Sequence, residues 1–343
     1  MLITLATTRL LAGTPALTTS VFGHVFTETE PVVVKAAAPE VQQERLVDYD
    51  AREVATRPVA DGQADFGTLP PGYYEAVAGE AKLPLVVVVD PAKRVPGESR
   101  LGTDNAMSWL VKPEQFDGVA EVLHRCGLGY VRERLSWGQV EPQPGTYEWG
   151  KYDQAADALH SQGIGIYQIF HSSPGWSRTD HDSRAVPDDL RVAYGWAKTL
   201  AEHWRGKVTA YEVWNEPDIG FFSHPASECA AFQKATYLGF KSVDPDLTVL
   251  GPSMAHGVCA FAEGLAENGI GGYLDAWNYH IYADPSAYAP HLQRWRGFLD
   301  QHGMDVPAWC TEAGDRVDGP DGVLTEASRR HQAAFLSRAF ASA

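Results

Sequence analysis

Two glutamates, Glu216 and Glu312, stand where a strand-like run ends. The first closes the stretch Tyr211-Glu212-Val213-Trp214-Asn215-Glu216, and Pro217 then prevents further ladder pairing. The second follows Trp309-Cys310-Thr311 and precedes Ala313-Gly314. Cleavage of a glycosidic bond needs two such groups, a protonated acid for the leaving oxygen and an ionised nucleophile or base for the developing cation. The pair therefore indicates glycoside hydrolysis.

The alternative interpretation treats each glutamate as a surface carboxylate at the start of a loop. Each glutamate taken alone fits the surface interpretation and the catalytic interpretation equally well. The occurrence of both at strand ends favours a shared site. Mutual repulsion and unequal surroundings would separate their pKa values and so assign their roles. Asn215, next to Glu216, is predicted to hydrogen-bond a sugar hydroxyl beside the reacting carbon.

Strands and helices alternate in the part of the chain that carries these residues. Helical spacing is clear at Phe116–Leu123, at 190–204 and at 292–299, with apolar runs between. Counting a first strand near Leu101, seven strands are predicted, and Glu216 and Glu312 end the fourth and the seventh. Such alternation predicts a parallel sheet, either a (β/α)8 TIM-type barrel or an open doubly wound sheet. No GxGxxG follows a first strand, which disfavours the nucleotide-binding form of the open sheet.

The first 90 residues show a different pattern of short strands and turns. Apolar or alternating runs occur at 31–35, 45–49 and 85–89, separated by turn-forming Asp61-Gly62 and Pro70-Pro71-Gly72. Strands at this spacing predict a small β-sandwich, with a linker at 92–99. We therefore predict a β-sandwich accessory domain at 1–95 and a (β/α) barrel domain at 96–343.

Several motifs resemble the retaining glycoside hydrolases of the large (β/α)8 clan, and above all the β-xylosidase and α-L-iduronidase family with its bacterial relatives. The most specific is Trp214-Asn215-Glu216-Pro217 together with Glu312. Further similarity extends over the stretches Leu69–Tyr74, Tyr130–Glu133, Trp137–Tyr147, Ser173–Trp176 and His280–Tyr282. The resemblance implies Glu216 as acid/base, Glu312 as nucleophile and a retaining mechanism with the carboxyl groups about 5–5.5 Å apart.

Other residues take supporting roles by the same resemblance. Arg132 would hold Glu312 ionised, although it could also pair with Glu212 as a purely structural ion pair. His280 or Tyr282 would orient the nucleophile. Trp176, after a Pro-Gly turn, is predicted to stack on a sugar. Trp214 is as easily a core residue.

Composition limits the partners of the chain. With 343 residues, 44% of them hydrophobic, a packed core is expected; the net charge of −16 argues against nucleic acid or an anionic membrane. No HExxH or HxH occurs, and neither a metal nor another cofactor is predicted. Met1–Ala16 lacks a basic start, so no signal peptide is predicted. Localisation and oligomeric state are left open, and the expected partner is a saccharide substrate.

The predicted function is retaining hydrolysis of O-glycosidic bonds, β-xylosidase-like or in related polysaccharide degradation. The alternatives are a non-catalytic carbohydrate-binding barrel and an inactive fragment; a metal-assisted hydrolase lacks its ligand clusters. After Glu312 only a loop at 317–323 and a helix at 325–340 are predicted, so the barrel is expected to lack its eighth βα unit. The sugar, and exo or endo action, are not determined.

Overall fold

A computed structural model describes residues 17–37, 39–94, 101–315 and 324–342. Its strands are β1 Leu17–Thr18, β2 Val25–Thr27, β3 Val33–Ala36, β4 Gln43–Asp48, β5 Glu53–Pro58, β6 Gln63–Asp65, β7 Gly72–Ala78, β8 Ala81–Val88, β9 Gly102–Asp104, β10 Tyr130–Ser136, β11 Gly165–His171, β12 Val208–Val213, β13 Thr248–Leu250, β14 Trp277–Ile281 and β15 Ala308–Ala313. Its α-helices are α1 Met107–Leu110, α2 Phe116–Arg125, α3 Trp137–Val140, α4 Gly150–Ser161, α5 Leu190–His203, α6 Ala226–Val243, α7 Ala260–Glu267, α8 Tyr288–Gln301 and α9 Glu326–Ser342.

Strands β1 to β8 form two sheets, ordered β1-β3-β6 and β2-β8-β7-β4-β5. All their pairings are antiparallel except that of β2 with β8. Alternate side chains of both sheets meet in one apolar core, to which Val34 and Leu46 contribute from opposite sheets. The division at residue 95 and the sandwich architecture stay predictions, and residues 95–99 of the expected linker lie outside the described residues.

Strands β9 to β13 form a parallel sheet in the order β13-β12-β11-β10-β9, and β14 pairs in parallel with β15. Single bridges from Leu250 to Ala276 and from Met254 to Tyr279 join β13 to β14. In the part of the chain that the structure describes, seven parallel strands thus follow one another in chain order. The predicted α/β class with a parallel sheet is confirmed.

Helices between these strands supply the outer layer of the larger core. On α2, the residues Phe116, Val119, Ala120 and Leu123 are all buried, as their helical spacing predicts. The helix predicted at 325–340 is α9, whereas the preceding loop at 317–323 lies outside the described residues. Closure into a barrel and the absence of an eighth βα unit stay predictions. Among the described helices, none combines the length and the apolar character that crossing a membrane requires.

Candidate active site

Glu216 lies three residues beyond the end of β12, in a strained turn. Trp214 and Glu216 both have left-handed backbone conformations, with φ of 72° and 44°, and such conformations cost about 1–2 kcal/mol for residues with a Cβ. Ser253 holds the turn, because its N–H donates to the Trp214 carbonyl at 3.2 Å and its Oγ accepts from the Glu216 N–H at 3.3 Å. Because these bonds hold the strained turn in place, the Asn215 and Glu216 side chains keep one direction at the carboxyl end of the sheet.

The Glu216 carboxylate contacts two neighbours. Its Oε1 lies 2.8 Å from Nδ1 of the fully buried His280, and its Oε2 accepts from the Asn215 amide at 3.4 Å. Burial alone would raise the pKa of Glu216, but the hydrogen bond and charge of His280 outweigh it and lower that pKa. The short contact with His280 therefore favours the ionised form of Glu216.

Glu312, near the end of β15, is held by cationic groups. Its Oε2 accepts from Nη1 of Arg132 and from Nη2 of Arg134, both at 2.9 Å, and its Oε1 accepts from the Tyr282 hydroxyl. Burial would raise its pKa, but the charges of His280 and Arg132, with the Tyr282 hydrogen bond and Arg134, lower it well below the ordinary range. Glu312 is ionised at neutral pH.

Arg132 contacts residues of the strands that carry both glutamates. The side chain is 2% exposed. It binds Glu212 through two nitrogens at 2.5 and 3.0 Å, and also donates to Asn215 Oδ1 at 2.8 Å and to Asp104 at 3.2 Å. Both alternatives for Arg132 are therefore realised at once: it forms a buried ion pair with Glu212 and it contacts Glu312.

The two catalytic candidates are close together. Single atoms of Glu216, His280 and Glu312 all lie within 4.8 Å of one another, a spacing that a divalent cation could also bridge. The guanidinium groups of Arg132 and Arg134 already neutralise Glu312, however, so these residues fit a carboxylate pair better than a cation site.

The structure brings together six of the seven residues predicted from the sequence, namely Arg132, Asn215, Glu216, His280, Tyr282 and Glu312. The seventh, Trp176, is half-buried, and its indole N–H donates to the Glu141 carbonyl oxygen at 2.8 Å; its role in substrate binding stays a prediction. Trp214 is 1% exposed and packs against Phe222 and Phe232, so it is a core residue.

Two residues of the site were missed in the sequence. Arg134 was not considered, although it has the same strand parity as Arg132 and that alternation could have indicated it. The other is Asp104, which ends β9 and accepts hydrogen bonds from both arginines. Its location at a strand end was the available signal.

Several proteins of known structure that are similar in fold to this chain are glycoside hydrolases. A family 39 glycoside hydrolase from Bacteroides cellulosilyticus WH2 superposes with a TM-score of 0.73 at 18% identity, over 93% of this chain and 71% of its own. A monomeric β-xylosidase from Caulobacter crescentus CB15 gives 0.51 at 22% identity, over 62% and 51%. The resemblance inferred from the sequence motifs is confirmed at the level of the fold.

In sequence, a β-galactosidase from Bifidobacterium bifidum is 26% identical over 43% of this chain. The chain spans about a quarter of the length of that curated relative. No model of a protein family matches the chain.

Proposed function

We propose that this chain is a retaining glycoside hydrolase with Glu216 as acid/base and Glu312 as nucleophile. The observation that carries the proposal is the carboxylate pair at the ends of the fourth and seventh parallel strands, with oxygens within 4.8 Å of each other. Retaining enzymes hold their carboxyl groups about 5–5.5 Å apart, whereas inverting ones leave about 6.5–9.5 Å for a water. The spacing supports double displacement.

In the first step the ionised Glu312 attacks the anomeric carbon while Glu216 gives a proton to the glycosidic oxygen. The bond from that carbon to the leaving oxygen breaks, an ester forms on Glu312, and the alcohol departs. The arginines and Tyr282 keep Glu312 anionic before attack. The proton comes from the carboxyl group of Glu216, which contacts Nδ1 of His280 at 2.8 Å.

In the second step a water attacks the anomeric carbon and loses a proton to Glu216. The ester bond then breaks and the Glu312 carboxylate is restored, so the configuration at the carbon is retained. The lowered pKa of Glu216 favours the carboxylate form that accepts this proton. Asn215, fixed between Arg132 and Glu216, is placed to hydrogen-bond a sugar hydroxyl beside the reacting carbon.

The proposal extends to substrate and architecture. The similar proteins are named for β-xylosidase and β-galactosidase activities, so β-xylosides and β-galactosides are the first substrates to assay. The strands β9 to β15 would belong to a (β/α)8 barrel and β1 to β8 to an accessory sandwich, which the superposition over 93% of the chain supports.

Hydrolysis of p-nitrophenyl β-D-xyloside and β-D-galactoside by wild type, Glu216→Ala and Glu312→Ala tests the roles. Each variant should lose about a hundred- to ten-thousandfold in kcat/KM. Azide should give an α-glycosyl azide with Glu312→Ala, because it replaces the missing nucleophile. It should give a β-glycosyl azide with Glu216→Ala, because it replaces the attacking water of the second step. Glu202→Ala, an exposed carboxylate on α5, serves as the control.

Undiminished hydrolysis by Glu312→Ala would refute the nucleophile. Proton NMR of the first-formed product gives the stereochemistry, and an inverted anomer would exclude double displacement. Activity that chelator treatment abolishes would instead favour a metal-assisted reaction.

A further inference from the structure

Three aromatic rings lie in a row beside the carboxylate pair, and the catalytic scheme uses none of them. The imidazole of His171 stands 5.9 Å from the indole of Trp109 and 6.2 Å from the ring of Phe221, measured between ring centroids. Trp109 is 40% exposed and Phe221 is 43% exposed. We call these three residues the aromatic row.

Each ring is fixed by contacts of its own element. Trp109 belongs to α1, whose first N–H groups, on Met107 and Ser108, donate to the buried Glu133 carboxylate at 2.7 and 3.1 Å. The Phe221 carbonyl accepts from the indole N–H of buried Trp214 at 3.2 Å. His171 is the last residue of β11. The backbone that carries the two exposed rings is therefore held before any ligand arrives, which lowers the entropic cost of binding.

The row lies near the carboxylate pair, because His171 interacts electrostatically with Arg134, Arg132 and Glu216. The ring of Tyr167 on β11 contacts Trp309 on β15, so Tyr167 points to the inner face of the sheet. His171 is four residues further along the same strand and therefore points to the same face. Phe221 follows Glu216 by five residues in the same loop. Exposed rings on both sides of His171 thus border the site where the glycosidic bond would be cleaved.

His171 also carries an unused polar atom. Its Nε2 is buried and has no hydrogen-bond partner within the described residues. Burial, with the charges of Arg134 and Arg132, lowers the pKa of His171 to about 4, so the ring is neutral at neutral pH. A neutral imidazole between two apolar rings adds no charge to the row, so the exposed rings of Trp109 and Phe221 can cover the flat apolar face of a sugar.

We infer that Trp109, His171 and Phe221 form an additional saccharide subsite, which binds a sugar unit next to the one being cleaved. The inference rests on the proposed function and specifies its substrate class: oligosaccharides or polysaccharides with β-linked, flat-faced units. A single glycoside with a small leaving group leaves the row empty. Binding energy gained at the aromatic row therefore raises kcat/KM only for substrates long enough to reach the row.

The test compares Trp109→Ala and Phe221→Ala with wild type on two substrates of one sugar. These are the β-glycosyl fluoride, whose leaving group carries no ring, and the β-1,4-linked trisaccharide of xylose or galactose, whichever sugar the wild type cleaves. We expect kcat/KM for the trisaccharide to fall about tenfold or more, because an aromatic contact is lost, and kcat/KM for the glycosyl fluoride to change less than twofold. Trp109→Phe should recover much of the loss, and Leu110→Ala, 59% exposed on the same helix, is the matched control.

Binding is measured separately, by calorimetric titration of β-1,4-xylotriose and β-1,4-galactotriose into Glu312→Gln and into Glu312→Gln with Trp109→Ala. A Kd at least tenfold higher in the double variant supports the subsite even if the wild type hydrolyses nothing, in which case the proposed function alone fails. Equal Kd values, or equal losses of kcat/KM on both substrates of the turnover assay, would overturn the inference. Thermal unfolding of each variant shows whether it is folded.

Discussion

At the scale of single residues, the charge state of Glu312 depends on two arginines from one strand. Arg132 is buried and also binds Glu212, so its removal would leave a buried carboxylate unpaired. Arg134 is more exposed, and its side chain donates to Asp104 and Glu312. Arg134 is therefore the better position at which to alter the nucleophile's ionisation without losing the fold.

Replacing Arg134 by Gln should shift the acidic limb of activity. Glu312, as the proposed nucleophile, must be ionised, and its pKa is lowered to about 2 because His280, Arg132, Tyr282 and Arg134 overcome the effect of burial. The wild type should therefore stay active below pH 4.5, and activity should fall only as pH drops through the lowered pKa. In Arg134→Gln we expect this acidic limb about one pH unit higher, measured as kcat/KM of the aryl glycoside from about pH 2 to 8.

Arg178→Gln is the control for that shift, since Arg178 pairs with Asp180 in a polar loop away from the carboxylates. Its acidic limb should coincide with that of the wild type. A limb that stays in place in Arg134→Gln would contradict the electrostatic role assigned to this residue.

At the scale of elements, β15 shows how a local irregularity can direct a catalytic candidate. Tyr279 pairs with Cys310 but His280 pairs with Glu312, so Thr311 is the extra residue of a bulge. Because of it, Trp309 and Glu312 both face the interior, where they contact Tyr167 and the arginines. Regular alternation would have placed Trp309 and Glu312 on opposite faces.

Strand β4 carries a second element-scale feature, the buried carboxyl group of Glu44. The residue is 0% exposed, and neither carboxylate oxygen has a hydrogen-bond partner among the described residues. Burial raises the pKa of Glu44 to about 7. Because the folded state then holds a proton that the unfolded state has lost, stability falls as pH rises from about 4.5 to 7, and the loss persists above 7.

The variant Glu44→Gln removes that charge while keeping the shape. We expect its free energy of unfolding to match wild type at pH 4.5 and to exceed it by about 2–3 kcal/mol at pH 8. Urea unfolding at the two pH values measures the difference, and Glu53→Gln, exposed on the neighbouring strand, is the control. A difference that is equal at both pH values would show that Glu44 is not the titrating group.

At the scale of the whole molecule, two apolar cores are joined by contacts from α2. Arg125 donates to the Val25 carbonyl at 3.0 Å and to both oxygens of Glu30 at 2.5 and 3.0 Å. Gly118 faces Phe22 so closely that an added Cβ would lie 2.5 Å from its ring. The helix therefore fixes the β-rich front part against the parallel-sheet part.

Loss of this junction should separate the unfolding of the two parts. Arg125→Ala is expected to lower stability by about 1–2 kcal/mol and to broaden or split the calorimetric transition, because the two cores no longer melt together. Coupling is measured by a double-mutant cycle with Glu30→Gln. Arg52→Ala, which removes an exposed ion pair with Asp50, should change stability by less than about 0.5 kcal/mol.

The same measurements can contradict the role of Arg125 in joining the two parts. A coupling energy near zero for Arg125 and Glu30, or a single unshifted transition in Arg125→Ala, would mean that other contacts hold the two parts together.

From the sequence alone, the alternation of strands and helices, the buried helix faces and the carboxylate pair could be predicted, because periodicity and strand-end motifs are local properties of the chain. Phe116–Leu123 and Glu216-Pro217 are examples. Only the tertiary structure placed Arg134, Asp104 and the aromatic row, since their partners are distant in sequence and no local pattern distinguishes a charge or a ring that faces the site. The bulge at Thr311 likewise depends on pairing with β14. Chemistry class follows from local sequence, whereas ionisation and substrate length depend on contacts between strands that only folding brings together.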